Sequence, residues 1–105
     1  MSLGSFEQGE TVRIPLHFLI DGYSAEITSP QVEKIIGPDG YGVSGFPANM
    51  TQIGGHYVYY YDYKVSDVGN YIVVMNGTVG ALNREVVETF YVRAPLGFPR
   101  LQIGG

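Results

Sequence analysis

The sequence predicts an all-β domain, an antiparallel sandwich of about seven strands in two sheets. Three observations lead to this prediction. Apolar and polar residues alternate with period two in several short segments, as in half-buried strands. Turn-forming residues recur roughly every ten residues. No segment keeps a helical apolar period over about ten residues, so the helices that parallel βαβ folds require are missing.

The composition fits one small domain. The chain has 105 residues, of which only 15% are charged, against a usual value of about 25%. Glycine (15) and tyrosine (9) are frequent, which suits short strands joined by tight turns. We expect the domain to span residues 5 to 94, followed by an extended tail or linker over residues 95 to 105.

Charge and cysteine content narrow the classes of partner. The net charge is −4 and the six cationic side chains are scattered, so no basic stripe for nucleic acid is predicted. No apolar stretch of about 18 residues exists, so no membrane insertion is expected. The first ten residues show no signal peptide. The absence of cysteine excludes thiol chemistry and cysteine-ligated zinc, and it fits a cytosolic protein, a virion protein or a microbial surface domain.

The first predicted strand covers about ten residues between positions 9 and 22. One face of this strand is apolar and should be buried. Its members are Val12, Ile14, Leu16, Phe18 and Ile20. Pro15 has no backbone N–H to donate to a neighbouring strand, so part of this strand should lie at a sheet edge.

The remaining elements follow from turn chemistry. Gly37-Pro38-Asp39-Gly40 predicts a turn, because proline presets φ, aspartate bonds nearby backbone and glycine accepts positive φ. Gly54-Gly55 predicts another turn. The predicted strands are residues 32 to 36, either 41 to 43 or 50 to 53, 56 to 65, 70 to 75 and 84 to 93, with a loop at 76 to 83.

Residues 67 to 71, DVGNY, resemble the tyrosine corner of immunoglobulin-like sandwiches, in the order Asp67, Gly69, Tyr71. The segments GETVRIPL, IIGPDG, GGHYVYY and FYV are similar to those of disulfide-free immunoglobulin-like domains of microbial surface and phage proteins. The resemblance covers roughly residues 5 to 94 and implies a tyrosine whose hydroxyl bonds to the upstream backbone. The chain departs from the antibody pattern, since Val73 stands where a cysteine is usual and tryptophan is absent.

The segment HYVYYYDYKV, residues 56 to 65, poses a choice between a ligand platform and a core strand. His56, Asp62 and Lys64 share one parity in this segment, so the side of the strand that carries them should face water. The other parity should face the core, with tyrosine hydroxyls reaching the rim or a backbone partner. Its members are Tyr57, Tyr59, Tyr61, Tyr63 and Val65. Tyr60 should then point outward.

No catalytic, cofactor-binding or metal-binding residue is predicted. His17 and His56 have no ligand-like spacing. The aspartates that could form a carboxylate pair each have a structural interpretation, in a turn, in the corner motif or on a solvated face. They are Asp21, Asp39, Asp62 and Asp67. Residues 42 to 45, GVSG, lack the spacing and the helix of a nucleophile elbow.

The sequence alone leaves the roles of the sequons, of Glu88 and of the tail undecided. Asn49 and Asn76 each begin a glycosylation sequon. Glu88 shares the parity of apolar residues, so the strand either bulges there or places Glu88 at a rim beside a cation. The tail is apolar enough to dock on a partner or a neighbouring strand edge, through Leu96, Phe98, Leu101 and Ile103.

These features favour a non-enzymatic structural or interaction module of a larger cell-surface or virion assembly. Its role would be spacing, adhesion or subunit contact. Its partner would be a protein, a neighbouring domain of the same chain, or another copy bound through the tail or a strand edge. The alternative is a carbohydrate- or peptide-binding module in which exposed Tyr23, Tyr41 and Tyr60 form a platform. An enzyme would need a cleft of convergent titratable groups, and the sequence indicates none.

Overall fold

A computed structural model describes residues 2 to 95, which form an all-β structure without helices, as predicted. The ten strands are β1 (Ser2–Glu7), β2 (Thr11–Leu16), β3 (Leu19–Ile20), β4 (Tyr23–Ser24), β5 (Thr28–Ile36), β6 (Ala48–Asn49), β7 (Thr51–Gln52), β8 (Tyr59–Lys64), β9 (Gly69–Val79) and β10 (Leu82–Arg93). The prediction of about seven strands is not confirmed, because several predicted segments are divided into shorter strands.

The strands form two larger sheets and one small hairpin. The first sheet has the order β1-β10-β9-β5-β6, the second has the order β2-β8-β7, and β3 pairs with β4. All these pairs are antiparallel except β1 with β10, which is parallel. Strand β1 begins at Ser2, three residues before the predicted start of the domain.

One apolar core lies between the two larger sheets. Tyr71 and Phe90, on neighbouring strands, are almost fully buried and stack with ring centroids 4.8 Å apart. Phe6 of β1 packs edge-on against Phe90 at 5.8 Å. The other buried members are Val12, Ile14, Leu16, Ile27, Val32, Ile35, Met50, Tyr59, Val65, Val73, Met75, Val79 and Val92.

The first predicted strand is shorter than expected. Val12, Ile14 and Leu16 are buried in β2, as their parity predicts. The strand ends at Leu16, so Phe18 is only half-buried and Ile20 is exposed in β3, which corrects their assignment to the core. Strand β2 is an edge strand of its sheet, which confirms the position predicted from Pro15.

The turns predicted at residues 37 to 40 and at residues 54 and 55 are both present. The amide of Gly40 donates to the Gly37 carbonyl at 3.0 Å, and Asp39 Oδ1 accepts from the Tyr41 amide at 2.9 Å, so the turn is confirmed. The turn at residues 54 and 55 is also present, since the His56 amide donates to the Ile53 carbonyl. The alternatives for the third strand reduce to one bridge at Gly42 and the two-residue strands β6 and β7.

The tyrosine-rich segment is mainly a core strand. Tyr59 is buried, and its hydroxyl accepts a hydrogen bond from the Ile27 amide at 3.1 Å. Tyr61 and Tyr63 are half-buried against the core. Burial raises the pKa of Tyr63 above its ordinary value. Tyr57 is exposed because β8 begins two residues later, so its inward prediction is wrong.

The loop predicted at residues 76 to 83 is instead the end of a long hairpin. Strand β9 continues to Val79, and β10 begins at Leu82 and stays in register back to the pair Val92 and Gly69. The two-residue connection is Gly80-Ala81. Gly80 has φ +62°, as the first central position of a type II′ turn requires.

The tyrosine corner predicted from DVGNY is formed. The Tyr71 hydroxyl donates to the Asp67 carbonyl at 2.8 Å and accepts from the Asp67 amide at 3.1 Å. The two bonds anchor the segment that leads from β8 into β9. Tyr71 as a whole is 1% exposed, and its hydroxyl bonds to backbone groups that would otherwise have to bind water.

We expect Tyr71→Phe to lower the free energy of unfolding by about 1–3 kcal/mol, because a buried ring keeps its packing while two hydrogen bonds are lost. Urea denaturation of both proteins measures this difference. Tyr41→Phe removes the hydroxyl of an exposed side chain and is the matched control, with an expected change within about 0.5 kcal/mol. Equal stability of the Tyr71 variant and the wild type would show that the corner bonds are not stabilising.

Glu88 fits neither sequence interpretation fully. The pairing of β10 with β9 is regular through the pair Glu88 and Val73, so β10 does not bulge. The irregularity lies in β1, where Ser2 pairs with Thr89 and Ser5 pairs with Tyr91. Glu88 is half-buried, and its Oε1 is buried without a hydrogen-bond partner. The expected neighbouring cation is therefore not bonded to this oxygen.

Candidate interaction surfaces

The three tyrosines proposed as a platform do not share one face. Tyr23 precedes β5 and Tyr41 follows it, and β5 has nine residues, about 27 Å of strand. Tyr60 lies on β8 of the other sheet. Tyr23 and Tyr41 are both largely exposed, but the whole length of β5 lies between them. A ligand that stacks on all three rings at once has no surface here.

One face of the Tyr60 ring is covered by Arg13, and the side chain is half-buried. The Arg13 guanidinium carbon lies 3.9 Å from its centroid, and Arg13 Nε and Nη2 each donate to Asp62 at 2.9 Å. The hydrogen bond from Arg13 lowers the pKa of Asp62. All three side chains lie on the outward parity of β2 and β8, as the sequence predicts for Tyr60 and Asp62. An exposed cluster of this kind adds little to stability.

The other aspartates considered for a carboxylate pair lie in turns or in the tyrosine corner, and His17 lies beside the small hairpin. Asp21 lies in the turn between β3 and β4, Asp39 in its own turn and Asp67 in the tyrosine corner. His17 Nε2 lies 2.7 Å from Ser24 Oγ across the small hairpin. Among residues 2 to 95, no three histidine or carboxylate side chains lie close enough together to hold a metal ion.

The small hairpin β3–β4 presents apolar side chains to solvent. The two residues Asp21-Gly22 join its strands, and Ile20 pairs with Tyr23. Leu19 is 61% exposed and Tyr23 is 79% exposed. A two-stranded ribbon has no second layer to cover it. This hairpin therefore carries large apolar groups that the protein itself does not bury.

The tip of the β9–β10 hairpin lies beside the β3–β4 region. A cleft of about 420 Å³ is lined by Phe18, which leads into β3, and by residues 82 to 85 of β10. Leu82, at the start of β10, is 60% exposed. Arg84 and Glu85 supply charge of both signs beside it. We call the set Phe18, Ile20, Tyr23 and Leu82 the apical surface; Leu19 lies on the other face of the β3–β4 ribbon, because it pairs with Ser24.

Sequence reasoning missed the apical surface for one identifiable reason. Phe18 and Ile20 continue the alternation of β2, and this spacing predicts that they lie on its buried face. The Asp-Gly pair at positions 21 and 22, flanked by Leu-Ile and Tyr-Ser, is a hairpin signal and could have shown that a separate ribbon begins here.

A second apolar surface lies on the outside of the five-stranded sheet. Ile36, Ile72 and Thr89 form one row across β5, β9 and β10. Lys34, Val74 and Val87 form the next row. On β9 and β10 these residues have the parity opposite to the core residues, and on β5 the register shift between Val32 and Lys34 brings Lys34 and Ile36 to the same face. We call these residues, with Tyr91, the outer face.

The predictions for the tail and for the two sequon asparagines concern residues outside both surfaces. The tail residues Leu96, Phe98, Leu101 and Ile103 lie outside the described residues. Of the two sequon asparagines, Asn49 is exposed in β6, whereas Asn76 Nδ2 donates to Glu33 Oε1 at 2.9 Å.

In comparisons with known proteins, no family model, no curated protein and no solved structure matches the chain. Within residues 2 to 95, no helix has the length and apolar character that a membrane span needs.

Proposed function

We propose that the chain is a non-enzymatic, immunoglobulin-like interaction module of a larger cell-surface or virion assembly, where it serves in adhesion, spacing or subunit contact. The strand order supports the immunoglobulin-like part of the proposal. Immunoglobulin domains join strands B, E and D in one sheet and C, F and G in the other. Assigning β2, β8 and β7 to the first set and β5, β9 and β10 to the second reproduces both orders. The hydrogen bonds of the corner at Tyr71 are a second, independent support.

The apical surface carries the interaction part of the proposal. It combines two side chains that are at least 60% exposed, Tyr23 and Leu82, with a cleft of about 420 Å³. An apolar centre with a mixed-charge rim, here Arg84 and Glu85, is the arrangement of protein interfaces. The partner that fits is a protein segment that places an apolar side chain in the cleft. The acidic net charge of the chain disfavours nucleic acid as the partner.

A displayed peptide library panned on the purified protein tests this proposal. We expect enriched peptides to carry apolar side chains and to lose at least about tenfold in affinity for a Tyr23→Glu, Leu82→Glu double variant, since buried unpaired carboxylates are unfavourable. Ile53→Glu alters an exposed apolar residue in the connection between β7 and β8 and is the control. Peptides that bind the double variant as tightly as the wild type would contradict the apical surface as the binding site.

A glycan array run on the same proteins addresses the alternative of a tyrosine platform. The separation of Tyr23, Tyr41 and Tyr60 restricts that alternative to a site built around a single tyrosine. Glycan binding that is lost in Tyr23→Ala or Tyr41→Ala, with no peptide binding at the apical surface, would favour the carbohydrate-binding hypothesis over the one proposed.

A further inference from the structure

Strand β10 has a second strand beside it for only part of its length. It pairs with β9 from Leu82 to Val92. On its other side it meets β1, whose pairing begins at Ser2 and Thr89. Among the residues that the structure describes, no strand pairs with residues 82 to 88 on that side. We call residues 82 to 88 the free edge.

The backbone of the free edge presents hydrogen-bonding groups at a regular spacing. Val79 and Leu82 flank the turn at Gly80-Ala81, so they exchange hydrogen bonds, and every second pair along the ladder does the same. The intervening residues of β10 direct their N–H and C=O groups away from β9. Arg93 belongs to this set, since its carbonyl accepts from the Gln8 amide at the end of β1. In the free edge the members of the set are Asn83, Glu85 and Val87.

The other edges of the two larger sheets are short or interrupted. Strands β6 and β7 have two residues each, and β2 contains Pro15, which has no N–H to donate. Strand β1 has a register shift between Ser2 and Ser5. Short strands, proline and bulges are devices that prevent a sheet from adding a foreign strand. The free edge contains no proline, and its ladder with β9 is regular, so it remains suited to strand addition.

Glu88 sets a chemical condition on any strand that joins the free edge. Its side chain has the core-side parity of Val86 and Phe90, and its Oε1 is buried without a hydrogen-bond partner. An added strand would place one of its own core-side side chains next to this carboxylate. An apolar side chain there would bury the carboxylate further, which is unfavourable, whereas a lysine or arginine would supply the missing donor.

The other end of the free edge continues into the apical cleft. Residues 82 to 85 begin the free edge and also line the cleft with Phe18. The distance along the strand from Leu82 to Glu88 is about 20 Å. One extended segment of about seven residues therefore reaches from the cleft to Glu88.

From these observations we infer that the free edge is a β-augmentation site, which takes an extended segment of a partner protein as an additional strand of the five-stranded sheet. The segment pairs its backbone with Asn83, Glu85 and Val87, and it places an apolar side chain in the apical cleft and a lysine or arginine beside Glu88. Backbone pairing gives affinity in this mode, and the two side chains give specificity. The inference rests on the proposed function for the cleft contact, and it adds the conformation of the ligand and a second specificity position.

Amide hydrogen exchange measured by NMR tests the free edge without a ligand. The compared amides are the outward set of Asn83, Glu85 and Val87 and the set bonded to β9, at residues 84, 86 and 88. The outward set is expected to exchange at least about tenfold faster, because it has no partner strand. Equal protection of the two sets would show that the edge is already covered and would overturn the inference.

N-methylation of an enriched peptide, one backbone amide at a time, tests strand pairing. Every second amide of an added strand faces β10, so losses of at least about tenfold in affinity should alternate with small changes. Binding at the apical surface without this alternation would overturn the inference and leave the proposed function intact. Alternation in a peptide that binds the Tyr23→Glu, Leu82→Glu double variant equally well would support the free edge and contradict the apical surface.

Two variants of the protein test the same contacts from its side. Val87→Pro removes an N–H that does not bond to β9, a position where strands tolerate proline, and should weaken peptide binding at least about tenfold. Val87→Ala keeps this N–H and is the matched control. Glu88→Gln should weaken a peptide with lysine or arginine beside it more than the same peptide with serine there. Folded variants, as judged by circular dichroism, that both bind like the wild type would overturn the inference.

Discussion

Gly69→Ala is expected to lower the free energy of unfolding by about 3–5 kcal/mol. Gly69 has φ +136°, a conformation that side chains other than glycine rarely adopt, and forcing a residue into such a region costs about 1–3 kcal/mol. A Cβ at this position would also lie 2.6 Å from Pro38 Cβ and 3.0 Å from its Cγ. Proline is a rigid ring held in the turn at residues 37 to 40, so it cannot move away as the end of a flexible side chain would. Overpacking of this kind costs about 1–3 kcal/mol more.

Thermal unfolding gives the most direct measurement of this effect. For a domain of this size, each kcal/mol shifts Tm by about 4–8 °C, so a decrease of at least about 12 °C is expected. Gly42→Ala is the matched control, because an added Cβ at Gly42 meets nothing within 4 Å and its φ is not positive. A decrease in Tm no larger than that of the control would show that the contact between the corner and the proline turn is not a constraint on the fold.

The sequence contained enough information for the parts of the fold that depend on short-range chemistry. The proline turn and the tyrosine corner need particular residues at fixed spacing, so they could be predicted from positions 37 to 40 and 67 to 71. The inward parity of Val12, Ile14 and Leu16 was equally accessible, since only one face of β2 is apolar.

The length of the β9–β10 hairpin was not accessible in the same way. Asn76-Gly77 and Gly80-Ala81 are both plausible turns, and local chemistry does not choose between them. The structure uses the second, and Gly77 is buried in β9, where an added Cβ would overlap the Ile27 side chain. Tertiary packing, rather than turn preference, thus explains a glycine inside the strand.

The apical surface was hidden by the assumption that apolar residues at strand spacing face the core. Ile20 follows the parity of Leu16 but belongs to a separate ribbon. The apolar outer residues Ile72 and Val74 had no predicted role, because β9 is apolar on both sides. A single sequence does not distinguish a residue buried by its own chain from one covered by a partner, because both are apolar for the same physical reason. The distinction required the positions of the neighbouring strands.

Phe90→Ala is expected to be as destabilising as the change at Gly69, by about 3–5 kcal/mol. Phe90 is 2% exposed and lies between two aromatic rings: it stacks on Tyr71 with an interplanar angle of 5° and meets Phe6 edge-on at 85°. These three rings connect β1, β9 and β10 on the core side of the five-stranded sheet. Truncation to alanine removes both aromatic contacts and leaves a cavity, because the strands on either side are held in register by their backbone ladders.

Urea denaturation of Phe90→Ala, Phe90→Leu and Tyr41→Ala separates the contributions. The leucine variant fills part of the cavity and should lose less stability than the alanine variant, although it lacks the stacking on Tyr71. Tyr41→Ala removes an exposed aromatic ring of similar size and should change stability by less than about 1 kcal/mol. If all three variants unfold at the same urea concentration as the wild type, the aromatic cluster is not the centre of the core. If Phe90→Ala alone is strongly destabilised, the β1, β9 and β10 layer depends on ring packing in the way its geometry implies.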